Sequence, residues 1–98
     1  MALDVLPEHL EIVKKIFREM IPDAHVVIFG SRALGTSRAQ SDLDLAIQDK
    51  DLLSIDTFSR LRLAFAESAL PYRVDLVDMT NVDEDFKKII ERDGSVIF

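Results

Sequence analysis

Two short apolar runs constrain this chain most. Val26-Val27-Ile28-Phe29 is β-branched, continuous and ended by Gly30, the pattern of a buried strand. Leu43, Leu45 and Ile47 alternate with Asp42, Asp44 and Ala46, the pattern of a strand with two different faces. Only residues 30–42 join the two runs, and Gly30 and Gly35 interrupt that segment. This connection is too short and too broken for a full parallel crossover. The two strands are therefore neighbours in a sheet that is not purely parallel.

The rest of the chain supplies helices around that pair. Leu10, Val13, Phe17 and Met20 recur at helical spacing, and Ile12 and Ile16 widen the stripe. Pro7 suits the first turn of this helix and Pro22 lies beyond its end. Ala33-Leu34 fits one helical turn, and residues 36–41 read as polar loop. A second long helix is expected over residues 55–70, capped by Ser54 or Asp56, with Phe58, Leu61, Phe65 and Ala69 in register. Residues 73–77 form a third strand, in which Val74 and Leu76 oppose Asp75 and Val77. A last helix is expected over residues 82–93, with Phe86, Ile89 and Ile90 inward and Gly94 as a C-terminal cap. Residues 96–98 extend a short final strand. The order predicts an α+β fold over residues 1–98: one domain, a mixed β-sheet and helices packed on one side of it.

Composition narrows the function. The chain is 48% hydrophobic and 31% charged, the balance of a globular protein. Its net charge of -6 argues against direct nucleic-acid binding, which calls for a basic face. A carboxylate-rich metal site is compatible with that charge, because the ion reverses the local sign. Without cysteine, neither a disulfide nor a thiolate site can form. The N-terminus lacks a basic start followed by an apolar core, and no apolar run reaches membrane-spanning length. A cytoplasmic location is the expectation.

The candidate chemistry lies in the acidic strand. Aspartate fills 12 of 98 positions, so D-x-D pairs arise from composition alone, and Asp49/Asp51 and Asp83/Asp85 have bland readings as loop and helix-start residues. Asp42 and Asp44 differ because a strand aims both carboxylates to one side. Two bare carboxylates about 4 Å apart repel by roughly 4 kcal/mol at an effective dielectric near 20. A divalent cation offsets that repulsion, and oxygen-only ligands point to Mg²⁺ or Mn²⁺. Asp75 offers a third carboxylate from a neighbouring strand. Three carboxylates can hold two ions about 3.5–4 Å apart, the arrangement of in-line phosphoryl displacement. Gly30-Ser31 ends a strand and opens a helical turn, where free backbone N–H groups suit a phosphate. Arg32 and Arg38 are candidate triphosphate ligands in the same loop. No Gly-Lys-Ser/Thr follows, so this is not a Walker loop.

Gly30-Ser31, ten residues, Asp42-Leu43-Asp44, and then Asp75 within Arg73-Val74-Asp75-Leu76-Val77-Asp78 resemble the signature of the polymerase-β-like nucleotidyltransferases. The run GSRALGTSRAQSDLDLAI is similar to the minimal nucleotidyltransferase (MNT) branch, encoded beside HEPN proteins. The likeness runs from about Val26 to the end. It implies the polymerase-β-like fold, with Asp42, Asp44 and Asp75 as catalytic and metal-binding residues. Gly30, Ser31 and Arg32 would bind the nucleotide, ATP or another NTP. It further implies two Mg²⁺ ions, with Mn²⁺ as a substitute, and transfer of AMP to a hydroxyl. In HEPN–MNT pairs that hydroxyl belongs to a tyrosine of the toxin, and the MNT chain is the antitoxin. Larger relatives carry helical regions for base and acceptor recognition that this chain lacks, so the acceptor is expected on a partner chain in a homo- or hetero-oligomer. The alternative is a nucleotide-binding module that neutralises or assists a helical partner by binding alone. Transfer to a small molecule is disfavoured, since nothing forms a separate sugar-binding domain.

Other residues have structural readings. Asp78 competes with Asp75 but lies on the opposite alternation, as a turn residue, and Arg73 could pair with Asp75. Tyr72 packs beside Pro71, with base stacking or self-modification as alternatives. His9 and His25 read as surface or strand-edge positions.

Overall fold

The structure is a computed structural model that describes residues 3–98. The elements run α1 (Pro7–Met20), β1 (His25–Phe29), α2 (Ser31–Leu34), β2 (Leu43–Gln48), α3 (Ile55–Ala66), β3 (Val74–Asp78), a 3₁₀ turn (Met79–Asn81), α4 (Glu84–Asp93) and β4 (Ser95–Val96). The sheet order is β3-β2-β1-β4. β1 is antiparallel to β2 and to β4, while β2 and β3 are parallel across the α3 crossover. The sheet is mixed, with the short 30–42 connection making β1–β2 antiparallel and the α3 crossover allowing β2–β3 to be parallel. No helix among the described residues is long and apolar enough to cross a membrane.

Strand alternation sends side chains to two different cores. Val26 and Ile28 of β1, Leu43, Leu45 and Ile47 of β2, and Leu76 of β3 meet Val13 and Phe17 of α1 and Leu61 and Phe65 of α3. The Phe17 and Phe65 rings lie 5.3 Å apart at their centroids. Each fully buried side chain of this kind contributes about 1.5–3 kcal/mol relative to exposure. The other face carries Phe29 and Ala46, covered by Ile90 and Phe86 of α4 and by Met79. The expectation of helices on one side is therefore corrected for α4. Its apolar stripe packs behind the sheet, and the small Ala46 lets the helix approach.

Several ends differ from the sequence pattern for local reasons. α3 stops at Ala66 rather than residue 70, because the Ser68 hydroxyl donates to the Phe65 carbonyl (2.6 Å) and accepts from Leu70 N–H (3.3 Å). Ser54 is the N-cap of α3, accepting from Thr57 N–H. α4 starts at Glu84, with Asp83 accepting from Phe86 N–H at 2.8 Å. Gly94 is extended rather than left-handed. A Cβ there would collide with the Ile90 carbonyl and with Val27, so glycine serves the close passage from α4 to β4. Beyond β4, Ile97 N–H donates to the Val26 carbonyl and Val26 N–H to that of Phe98, so the pairing runs to the last residue.

Candidate active site

Register places the carboxylates. Asp44 pairs with Phe29 on one side and with Asp75 on the other. One step along, Ala46 pairs with Val27 and Val77. Directly paired residues share a face. The α4 face thus carries an apolar row, Val27–Ala46–Val77, and next to it an acidic row, Phe29–Asp44–Asp75. α4 packs on the first row and, through Phe86, on Phe29 of the second, leaving the two aspartates beyond it. Asp42 lies just before β2 rather than in it, and period-two alternation brings it to the same side as Asp44.

Two of the three carboxylates act on the third, Asp44. Asp44 is half-buried, and Asp42 and Asp75 are exposed. The Asp44 carboxyl is raised from 3.8 to about 6, first by burial, then by the negative charges of Asp75 and Asp42. The suggested Arg73–Asp75 pair is absent, since the ion pairs among the described residues are Arg60–Asp56 and Arg92–Asp93. No closed cage of three acidic or histidine ligands exists among the described residues.

Gly30 adjoins this row. Its φ is +74°, and an added Cβ would strike the Asp44 carboxylate. Glycine is thus required twice, for the turn and for the space that Asp44 fills. The Gly30 carbonyl accepts from Ala33 and Leu34 N–H, at 3.1 and 3.2 Å. The N–H groups of Ser31 and Arg32 precede the first closed turn and have no intrahelical acceptor. Gly35, at φ +74°, ends α2 in the left-handed region.

The side chain of Arg32 is elsewhere. It is 6% exposed, and its guanidinium lies 3.8 Å above the Tyr72 ring. It donates to the carbonyls of Asp4 (2.8 Å), Ser41 (2.8 and 3.1 Å), Ala39 (3.3 Å) and Arg38 (3.4 Å). A phosphate contact by this side chain would have to displace these bonds, because its donors are committed to backbone oxygens. Arg38 is exposed on the loop. Asp4 was not anticipated; its carboxylate accepts from Ser37 N–H and Oγ, at 3.1 and 2.7 Å. No local spacing signals that contact, because its partners lie far along the chain. Asp78 is structural, accepting from Leu53 N–H (2.8 Å) and Thr80 N–H (2.9 Å). His9 is not a plain surface residue, since its Nδ1 lies 3.2 Å from the Tyr72 hydroxyl. His25 is exposed on the strand, as expected.

The larger concavities miss this chemistry. One cleft of about 470 Å³ lies between α3 and β3, and another of about 640 Å³ between the N-terminal segment and Tyr72. Neither is lined by Asp42, Asp44 or Asp75. The donor set fits a hard divalent cation: three carboxylates, of which Asp44 is pushed toward its protonated form by burial and by the charges of Asp75 and Asp42.

Comparison with known proteins identifies the family. Residues 11–98 match the family model described as polymerase beta, nucleotidyltransferase. The chain is 47% identical over 90 residues to a probable protein adenylyltransferase MntA of Haemophilus influenzae, covering 92% of this chain and 79% of that one. A crystal structure of a toxin–antitoxin with AMP-PNP superposes with a TM-score of 0.79 at 29% identity, covering 91% of this chain and 72% of that one. The tri-AMPylated Shewanella oneidensis HEPN toxin in complex with MNT antitoxin gives 0.71 at 26% identity, covering 91% and 68%. A glycine-led turn beside an acidic row on a mixed sheet, matched over nearly the whole chain, places this protein in the polymerase-β nucleotidyltransferase family.

Proposed function

We propose that this chain transfers AMP from ATP to a tyrosine hydroxyl of a helical HEPN-type toxin, and so acts as its antitoxin in the cytoplasm. The observation that carries this reading is the row of Asp44 and Asp75, with Asp42 beside them, directly against the Gly30–Ser31 turn. The likeness to an MntA adenylyltransferase and to an MNT antitoxin in complex with an AMPylated HEPN toxin supports the choice of donor and acceptor.

In this reading the N–H groups of Ser31 and Arg32, with the Ser31 hydroxyl, hold triphosphate oxygens. Asp42, Asp44 and Asp75 would hold divalent cations, two Mg²⁺ or Mn²⁺ in their place. Such ions, when bound, neutralise phosphate charge and lower the pKa of the acceptor hydroxyl. Asp75 is exposed and accepts the proton of that hydroxyl. The acceptor oxygen bonds to the α-phosphorus, the bond from that phosphorus to the α–β bridging oxygen breaks, and pyrophosphate leaves. The open acidic row admits a tyrosine from a second chain.

Incubation with α-labelled ATP, Mg²⁺ and the folded helical partner tests this. Label is expected on the partner, and its tyrosine-to-phenylalanine variant is expected to stay unlabelled. A folded partner that remains unlabelled overturns the catalytic reading. Full neutralisation by an Asp44→Asn chain would instead favour inhibition by binding alone.

A further inference from the structure

Arg32 joins three segments that each lead into the candidate site. It belongs to α2, directly after Gly30 and Ser31. Its guanidinium fastens the carbonyls of Arg38, Ala39 and Ser41, the last immediately preceding Asp42. It also lies on the ring of Tyr72, two residues before β3. Asp4 closes the network: its N–H donates to the Arg32 carbonyl (2.9 Å), and its own carbonyl accepts from Arg32. A planar fork with five donors can serve several carbonyls while stacking on an aromatic face, and an ammonium cannot.

We infer that the Arg32 side chain is a positioning residue, which locks the loop before Asp42 and, through Tyr72, the approach to Asp75. Through these contacts it sets where Asp42 stands relative to Asp44 and Asp75. This inference rests on the proposed nucleotidyl-transfer site, but its physical core is the order of residues 37–42. Tyr72 is then the platform beneath the guanidinium, not a base-stacking surface or a modification target.

The test uses the full chain as wild type, Arg32→Lys, Tyr72→Leu and Tyr72→Phe, each first shown to be folded by circular dichroism. Amide exchange of residues 37–42 is measured together with Mn²⁺ affinity and the affinity for a non-hydrolysable ATP analogue without metal. Arg32→Lys and Tyr72→Leu are expected to speed exchange of this loop on the order of tenfold, since each removes interactions that hold it. Both are expected to weaken Mn²⁺ binding by about 10–100-fold, the usual loss when a ligand loses its orienting support. Tyr72→Phe keeps the ring and is expected to recover both. With the partner and labelled ATP, kcat falls while KM for ATP stays near wild type.

A phosphate-ligand role gives the opposite result. Arg32→Lys would then change ATP-analogue affinity while leaving loop exchange and Mn²⁺ affinity at wild-type values, and that would overturn the inference. So would wild-type loop exchange in a folded Tyr72→Leu chain. If Arg32→Lys fails to fold, Tyr72→Leu decides alone. If wild type transfers no label, the adenylyl-transfer reading fails, and loop exchange still decides whether Arg32 orders residues 37–42.

Discussion

Two adjacent rows on one face of the sheet differ in almost every respect except backbone. The row Val27–Ala46–Val77 is apolar and lies under α4. The row Phe29–Asp44–Asp75 is one alternation away, about 7 Å along the strands, and ends in two acids, of which Asp44 has its proton affinity raised by burial and by the neighbouring Asp75. The same strands, pairing and twist thus yield a packed core at one row and an acidic edge at the next. Where α4 covers the sheet, side chains stabilise. The helix reaches Phe29 of the acidic row through Phe86; beyond Phe29, Asp44 sits at a cost in the free protein, because its charged form is opposed by burial and by two neighbours. A carboxylate tolerated in such a place is better explained by a ligand it binds than by the fold it belongs to.

Neutralising the acidic row should have the largest effect. Asp44→Asn is expected to lower label transfer by about 10²–10³-fold or more, the range for losing one electrostatic contributor to a transition state. The same variant should stabilise the free protein at neutral pH by about 1 kcal/mol, after allowing for solvent screening of a half-exposed group. Opposite signs for activity and for urea midpoint would sharpen the contrast between the rows. A loss of both would break it.

Gly30→Ala comes next. The added methyl must displace the Asp44 carboxylate and occupy φ +74°. A loss of about 10–100-fold in activity and about 1–3 kcal/mol in stability is expected, by label transfer and urea denaturation. On the apolar row, Ile90→Ala should cost about 2–5 kcal/mol of stability. At a temperature where the variant remains folded, it should leave transfer largely intact. An equal loss of chemistry would mean that α4 does more than pack.

The smallest effect is that of pH. The folded Asp44 carboxyl titrates near 6 and the unfolded one near 3.8. The native state therefore holds more protons between those values, and stability should fall as pH rises from about 4 to 6 and then level off. Metal affinity should rise over the same window, since a cation competes with the proton. Urea midpoints and Mn²⁺ titrations at matched pH check both signs.

Much of this was legible in the order of residues. The alternation of Leu43, Leu45 and Ile47 against Asp42, Asp44 and Ala46 defines two faces before any coordinates exist. The short 30–42 connection excludes a parallel β1–β2 pair. The face chosen by α4 was not legible, because a stripe of Phe86, Ile89 and Ile90 looks the same whichever side of a sheet it covers. Only the register, which sets Ala46 between Val27 and Val77, reveals the apolar half-face it needs. The partners of the Arg32 side chain were not legible for a related reason. A loop arginine beside a phosphate-binding turn looks like a ligand, and its real partners are carbonyls up to 28 positions away. Carbonyl oxygens leave no trace in residue identity.

The central claim is that the acidic row is a divalent-cation site serving a nucleotide held at the Gly30–Ser31 turn. It is tested most directly by titrating Mn²⁺ into the protein at pH 7.5, with and without a non-hydrolysable ATP analogue, for wild type and Asp44→Asn. The account predicts saturable binding to wild type that the analogue tightens, and its loss in an Asp44→Asn chain of equal or greater stability. Equal Mn²⁺ binding by both proteins, or none by a folded wild type even with the analogue present, would contradict it.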